Sequence, residues 1–171
     1  MKKLLIIIPF FIIGCATKNT VNNYTLNSYP VESQNTQKTL SLSISAPPAF
    51  QTRKIYWQKG YEKNPYLYSQ WIEDFDTLLQ KSVFNALFDS HKFKSVYQDK
   101  KADLNLQLYI AEASHVVTQN GSYVILDIKA YLNSRSKDFY YKIPCQKNAK
   151  GAVEAFNKAV KRFEKELIDW L

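Results

Sequence analysis

The sequence predicts an α+β fold: an antiparallel or mixed β-sheet with two amphipathic helices packed on one face. Apolar and polar residues alternate in several segments, the period of a half-buried strand. Two other segments, Ser69–Phe88 and Ala152–Trp170, repeat apolar residues at three- and four-residue steps, the period of a helix with one apolar face. Their order, strands, helix, strands, helix, suits one sheet with both helices laid on it. Hydrophobic residues make up 46% of the chain, enough to fill a core and to argue against global disorder.

Met1–Cys15 opens with Lys2 and Lys3 and continues as an apolar run, Leu4–Ile13, the pattern of a secretory signal. At 1.5 Å per residue such a run covers about half of the ~30 Å bilayer core, too little for a comfortable transmembrane helix. Ile12-Ile13-Gly14-Cys15 resembles a bacterial lipobox. That resemblance implies a signal peptide over residues 1–14, cleavage after Gly14, and acyl chains on Cys15 that hold the protein to a membrane. An ordinary signal peptide with an incidental cysteine is the plainer alternative. Cleavage removes Lys2 and Lys3 and no acidic residue, lowering the formal net charge from +8 to +6. On a membrane-held secreted domain this charge suits anionic headgroups or an acidic partner, or simply solubility, rather than nucleic acid.

Residues 15–38, rich in Thr, Asn, Ser and Gln, read as a lipidated tether with a short first strand at Tyr24–Leu26. Residues 39–171 read as a single domain. Thr39–Ala46 alternates Leu40, Leu42 and Ile44 with serines and stops at Pro47-Pro48. Arg53–Gln58 is a second strand, and Lys59-Gly60 a turn. Ser69 is placed to cap the first helix, with Glu73 and Asp74 near its first turn. Trp71, Ile72, Phe75, Leu78, Leu79, Val83, Ala86 and Leu87 form that helix's apolar face.

Phe93–Tyr97 and Asp103–Ser114 read as strands, and Asn120-Gly121 as a type I′ hairpin turn. Tyr123–Leu132 returns, Asn133–Lys137 turns, and Asp138–Ile143 completes a three-stranded meander. The closing helix presents Ala152, Phe156, Ala159, Val160, Phe163, Leu167 and Trp170 on one face. Its charged residues, Glu164 among them, are expected on a solvated face.

No catalytic constellation, cofactor motif or metal-ligand spacing stands out, so the expectation is a protein that is not an enzyme and needs no cofactor or metal. The only histidines are His91 and His115. Ser114 and His115 are adjacent on one strand and point to opposite faces, so they cannot pair as nucleophile and base. Asp127 shares a face with Lys129 and reads as solvated. Cys145, the one cysteine besides Cys15, is expected to behave as a small buried hydrophobe.

The stretch Arg53–Tyr68 is harder to hide in a core, because Tyr56, Trp57, Tyr61, Tyr66 and Tyr68 crowd around Gly60 and Asn64-Pro65. Tyr56 and Trp57, adjacent on a strand, must face opposite ways. Aromatic residues of this kind dominate interaction surfaces, so these five are the candidate partner interface.

The succession of a lipobox, Tyr24-Thr25-Leu26, a strand, Ala46-Pro47-Pro48-Ala49, Arg53-Lys54-Ile55-Tyr56-Trp57 and Trp71 opening a long amphipathic helix resembles the ABC-type transport auxiliary lipoproteins, the group of the paraquat-inducible C-type lipoproteins. The tyrosine-rich Tyr61–Tyr68 departs from that pattern. The resemblance implies a non-catalytic lipoprotein on the periplasmic face of a bacterial membrane, auxiliary to an MCE-type lipid transport system. Its implied partners are an MCE-domain protein and ABC transporter subunits; for the aromatic hairpin a second copy of the chain is the other candidate partner. In enterobacterial lipoproteins an aspartate after the lipidated cysteine often retains the protein at the inner membrane. Ala16 stands there, so the outer membrane is expected over the inner. A structural or assembly lipoprotein of the outer membrane is the alternative, and a periplasmic enzyme the third reading.

Overall fold

The computed structural model describes residues 20–27, 36–98 and 100–171; Gly14 and Cys15 lie outside the described residues. Eight strands and two helices follow in the order β1 (Asn22–Tyr24), β2 (Thr39–Ser45), β3 (Lys54–Lys59), β4 (Glu62–Trp71), α1 (Phe75–Asp89), β5 (Ser95–Gln98), β6 (Leu104–Thr118), β7 (Gly121–Leu132), β8 (Arg135–Cys145) and α2 (Ala149–Trp170). The expected mixed sheet with two helices is what the chain forms.

Strand β6 is the spine of the sheet. One of its edges pairs antiparallel with β7 from Leu106 to Thr118, and β7 pairs in turn with β8. The other edge is shared. Its first half lies parallel to β2, from Leu40↔Leu104 to Ser45↔Tyr109, and its second half lies parallel to β3 at Trp57↔His115 and Gln58↔Val116. The sheet therefore forks, with β5 outside β2 on one branch and β4 then β1 outside β3 on the other. A bulge between Ile110 and Glu112 lies between the branches. An extra residue there reverses which alternate positions face the helices. Leu106, Leu108 and Ile110 face inward before the bulge, and Ala113 and His115 pair with core residues after it.

The helices cover the apolar face. Phe75, Leu78, Leu79, Val83, Ala86 and Leu87 of α1 join Ala152, Phe156, Ala159, Val160, Phe163 and Leu167 of α2 in one core with the alternate residues of β6, β7 and β8. Each large side chain that is wholly buried, such as Phe163 or Leu79, contributes about 1.5–3 kcal/mol. Phe139 meets Phe163 edge-on with centroids 5.1 Å apart. Among the described residues no helix is long and apolar enough to cross a membrane.

Several boundaries differ from expectation, each for a local reason. Ser69 does not begin a helix; it is buried in β4, and α1 starts six residues later. The Trp71 N–H donates to Arg53 O and the Ile72 N–H to Tyr24 O, each at 2.7 Å, so strand neighbours hold this backbone extended. Trp71 still reaches the helix layer, 5.3 Å from Phe75 and 5.7 Å from Phe156 between centroids, while Ile72 is exposed. Asp74 precedes the helix without a side-chain capping bond.

The β6–β7 turn is Gln119-Asn120 rather than Asn120-Gly121. Thr118 and Gly121 close it, and neither loop residue has positive φ, so it is not type I′. β8 begins at Arg135 because Asn133, at φ 52°, makes the next turn in two residues. α2 starts at Ala149, where the Asn148 side chain accepts the Gly151 N–H at 2.7 Å. Glu164 is fully buried, not solvated; the Ser82 hydroxyl donates to its Oε1 at 2.6 Å and ties α1 to α2. β1 lies two residues before Tyr24–Leu26, and Thr25, Leu26 and Asn27 after it are docked on the domain. Leu26 is buried, and Asn27 N–H donates to Asn157 Oδ1 at 2.9 Å.

Candidate functional site

The hairpin of β3 and β4 carries all five aromatic candidates. Gly60, at φ 60°, turns the chain between Lys59 and Glu62, and the ladder runs regularly back to Tyr56↔Pro65. The next pair is Lys54↔Gln70. Tyr66, Leu67, Tyr68 and Ser69 therefore face Ile55 alone. Pro65, which has no N–H for the ladder, stands where the register fails. The surplus backbone bows out and takes apolar side chains with it: Leu67 is 80% exposed, Tyr68 51%, and Tyr61 at the turn is fully exposed.

Tyr56 and Trp57 face opposite ways and both are half-buried, so the adjacent-residue expectation holds for direction. Tyr56 lies under Lys63, whose Nζ is 5.8 Å from its ring centroid and 5.0 Å from that of Phe50. The same Nζ reaches Glu112 Oε1 at 3.3 Å. Trp57 faces the other side, where it lines an open groove of about 620 Å³ with Pro65, Tyr66, Leu67 and Tyr68. Asn148 and Ala149, at the start of α2, form its far wall. The structure thus brings four of the five aromatic candidates to the bulge and groove or beside them; Tyr61 stands apart at the tip.

Beneath the groove, the Tyr66 hydroxyl lies 2.7 Å from Nδ1 of His115, with the two rings stacked at 18°. His115 is fully buried, and its Nε2 has no hydrogen-bond partner. Burial lowers its pKa, which keeps the ring neutral at pH 7. Burial, with the nearby Cys145 second, pushes the Tyr66 hydroxyl up to about 12. Burial also raises the Cys145 thiol, which sits half-buried 3.7 Å from the Ser122 hydroxyl. The Tyr66 hydroxyl and the Cys145 thiol are thereby held protonated, the opposite of what an activated nucleophile or a thiolate ligand requires.

Ser114 lies on the other face of β6 from His115, and Asp127 pairs with Glu112 on that face. His91 caps α1, its Nδ1 3.1 Å from Phe88 O, beside a second cleft of about 450 Å³ lined by Phe88, Phe93 and Lys94. The structure brings no pair of His91, His115 and Asp127 together. Among the described residues no three His, Cys, Asp or Glu side chains converge as metal ligands.

No protein-family model matches the chain, and no curated protein is significantly similar to it. Solved structures are similar. Protein XCC0632 from Xanthomonas campestris, of family DUF330, superposes with a TM-score of 0.77 at 20% identity, over 88% of this chain and 94% of that one. A second, described as an uncharacterized protein, gives 0.67 at 13% identity over 85% and 98%. The likeness is one of fold. At these identities it transfers no site residue, and the groove stands on its own geometry.

Sequence reading missed Leu67, the pairing of Tyr66 with His115, and the wall contributed by α2. One signal was available: a proline in the middle of an alternating aromatic stretch marks a break in pairing. Nothing in the sequence joins Asn148 to Tyr68.

Proposed function

We propose that this protein is a lipid-anchored, non-catalytic envelope lipoprotein whose β3–β4 hairpin docks a partner protein of an ABC/MCE-type lipid transport system. The observation that carries the docking half is the apolar bulge. Leu67 and Tyr68 are held outward by a break in the ladder beside an open groove walled by Trp57 and Pro65. Tyr and Trp bury large areas on association while keeping a polar handle, and a few such residues dominate binding energy. The anchoring half rests on the lipobox-like Ile12-Ile13-Gly14-Cys15, and the choice of partner on the order of motifs along the chain.

The experiment is co-purification in mild detergent of the MCE-domain and transporter subunits with the wild type and with Leu67→Asp and Tyr68→Ala. Both variants are expected to melt as the wild type does and to lose the partner, each by a factor of about 30 or more if it is a hot spot worth 2 kcal/mol. Retention of the partner by both variants would refute docking through the hairpin. Cys15→Ser is expected to abolish acyl labelling and leave an uncleaved precursor.

A further inference from the structure

Strand β8 has one edge on β7 and no strand on the other, and its eleven residues make it the longest open edge among the described residues. Which backbone groups it offers follows from the turn before it. Leu132 and Arg135 close a two-residue loop, and residues closing such a loop exchange both backbone hydrogen bonds. Counting along by twos, the odd-numbered residues of β8 through Cys145 bond to β7. Ser136, Asp138, Tyr140, Lys142 and Pro144 therefore turn their backbone groups outward, and their side chains are exposed. Pro144 agrees with this assignment, because a sheet tolerates proline where the missing N–H would face away from its neighbour.

The exposed side chains of this edge are their own complement. In an antiparallel pair of two copies centred on Tyr140, the tyrosines face each other. Asp138 of each copy then faces Lys142 of the other, so the charge match occurs twice. On the helix-covered side the same register sets Phe139 opposite Tyr141. Centring the pair on Asp138 or on Lys142 would instead put like charges face to face. Within one copy, Asp138 has Lys129 as its neighbour on β7, and the Lys142 ammonium lies 3.9 Å from the Tyr123 ring centroid. In the single copy Lys142 thus leans back over β7, and pairing of two copies trades that ring contact for Asp138 of the other copy.

We propose that two copies of this chain dimerise through β8, antiparallel and centred on Tyr140, which joins their sheets into one. Lysine and proline on an edge are also the devices by which sheets avoid pairing. Their placement decides between the two uses. Lys142 stands as far from Tyr140 as Asp138 does on the other side, and Pro144 falls just beyond, where it ends the ladder without interrupting it.

The test is sedimentation equilibrium of the full-length protein in mild detergent, with circular dichroism as the check on folding. The wild type is expected to be a monomer–dimer system. Asp138→Lys and Lys142→Asp should each weaken the dimer about tenfold, since a cross-strand charge pair carries about 0.2–1 kcal/mol and each reversal acts twice. The double variant, with the charges exchanged, should recover the wild-type mass distribution. In a Cys145→Ala background, Tyr140→Cys should form a disulfide-linked dimer on mild oxidation, because facing residues bring their Cα atoms to about 5.5 Å. Ser136→Cys, far along the strand from its counterpart, should not. A wild type that stays monomeric at its highest soluble concentration overturns the proposal. So does a dimer insensitive to both reversals, a double variant that does not recover, or cross-linking at 136 as readily as at 140. If a reversal prevents folding, the cross-linking pair decides.

Discussion

The β7–β8 hairpin and the β3–β4 hairpin use similar residues and reach opposite ends. In β7–β8 every residue from Ser122↔Cys145 to Leu132↔Arg135 has its partner. The period of two is therefore kept, and Phe139, Tyr141 and Ile143 all fall on the buried side. In β3–β4 the register jumps between Tyr56 and Lys54, and the apolar residues at the jump are divided between groove and solvent. Each hairpin contains a proline. Pro144 occupies a position that turns outward from the ladder and does no damage, while Pro65 stands at the point where pairing fails. Aromatic content alone does not decide between core and surface. Unbroken pairing does, because only a constant register sends alternate side chains to one face.

The largest effect expected from this contrast is in stability. Phe139 is 2% exposed and packed edge-on against Phe163. Phe139→Ala should lower the unfolding free energy by about 3–5 kcal/mol, through lost burial and the cavity left behind. Leu67→Ala and Tyr68→Ala, which also remove large side chains but exposed ones, should change it by less than about 0.5 kcal/mol. Urea unfolding of the three variants measures this. Similar losses for Phe139 and Leu67 would break the comparison.

A smaller effect sharpens it at the link between β8 and α2, which also supplies the wall of the groove. A Cβ built on Gly151 would lie 2.8 Å from Gln146 Cβ and 2.9 Å from Gln146 N and O. Alanine in place of glycine favours a helix by about 1 kcal/mol. A clash with backbone atoms that cannot swing aside typically costs about 1–3 kcal/mol. The clash should win, and Gly151→Ala should be destabilising by urea unfolding despite the better helix residue. A stabilised variant would show that the link yields, and that the groove's wall is less firmly set than the meander it follows.

Much of the sheet was legible in the sequence, and the failures share a cause. Leu40–Ile44, Val124–Leu132 and Phe139–Ile143 alternate, and the structure buries one face of each because their partners run in continuous register. Helix α2 is amphipathic over its whole length, so its face could be drawn, except at Glu164, where Ser82 on α1 supplies the polar contact that no α2 residue foretells. Ser69–Ile72 matched a helical period, yet pairing with Arg53 and Tyr24, neighbours from elsewhere in the chain, kept it extended. The site suffered most. The five aromatics were visible as a cluster, but the groove depends on the β4 bulge, on the β6 bulge that turns His115 inward, and on the arrival of α2. Each is a tertiary event with no local period to announce it.

The smallest effect, and the one that tests the ground beneath the groove, is the response to acid. His115 is buried beside Tyr66, and burial holds its pKa below that of an exposed histidine. The unfolded chain therefore binds a proton, near the usual value of about 6.5, before the folded protein does. The contribution of His115 to stability is complete above that pH and is lost as pH falls through it toward the lower folded value. Tyr66 and Cys145 remain neutral across this window and offer no negative charge to relieve an imidazolium. Asp127, on the other face of the sheet, has its pKa raised by burial and works in the opposite sense. Subtracting the unfolding free energies of His115→Gln from those of the wild type between pH 7.5 and pH 5 isolates the histidine. The difference should move against the wild type as pH falls. A flat difference would mean that His115 takes up its proton as easily in the fold as outside it, and that Tyr66 rests on solvated ground instead of a closed floor.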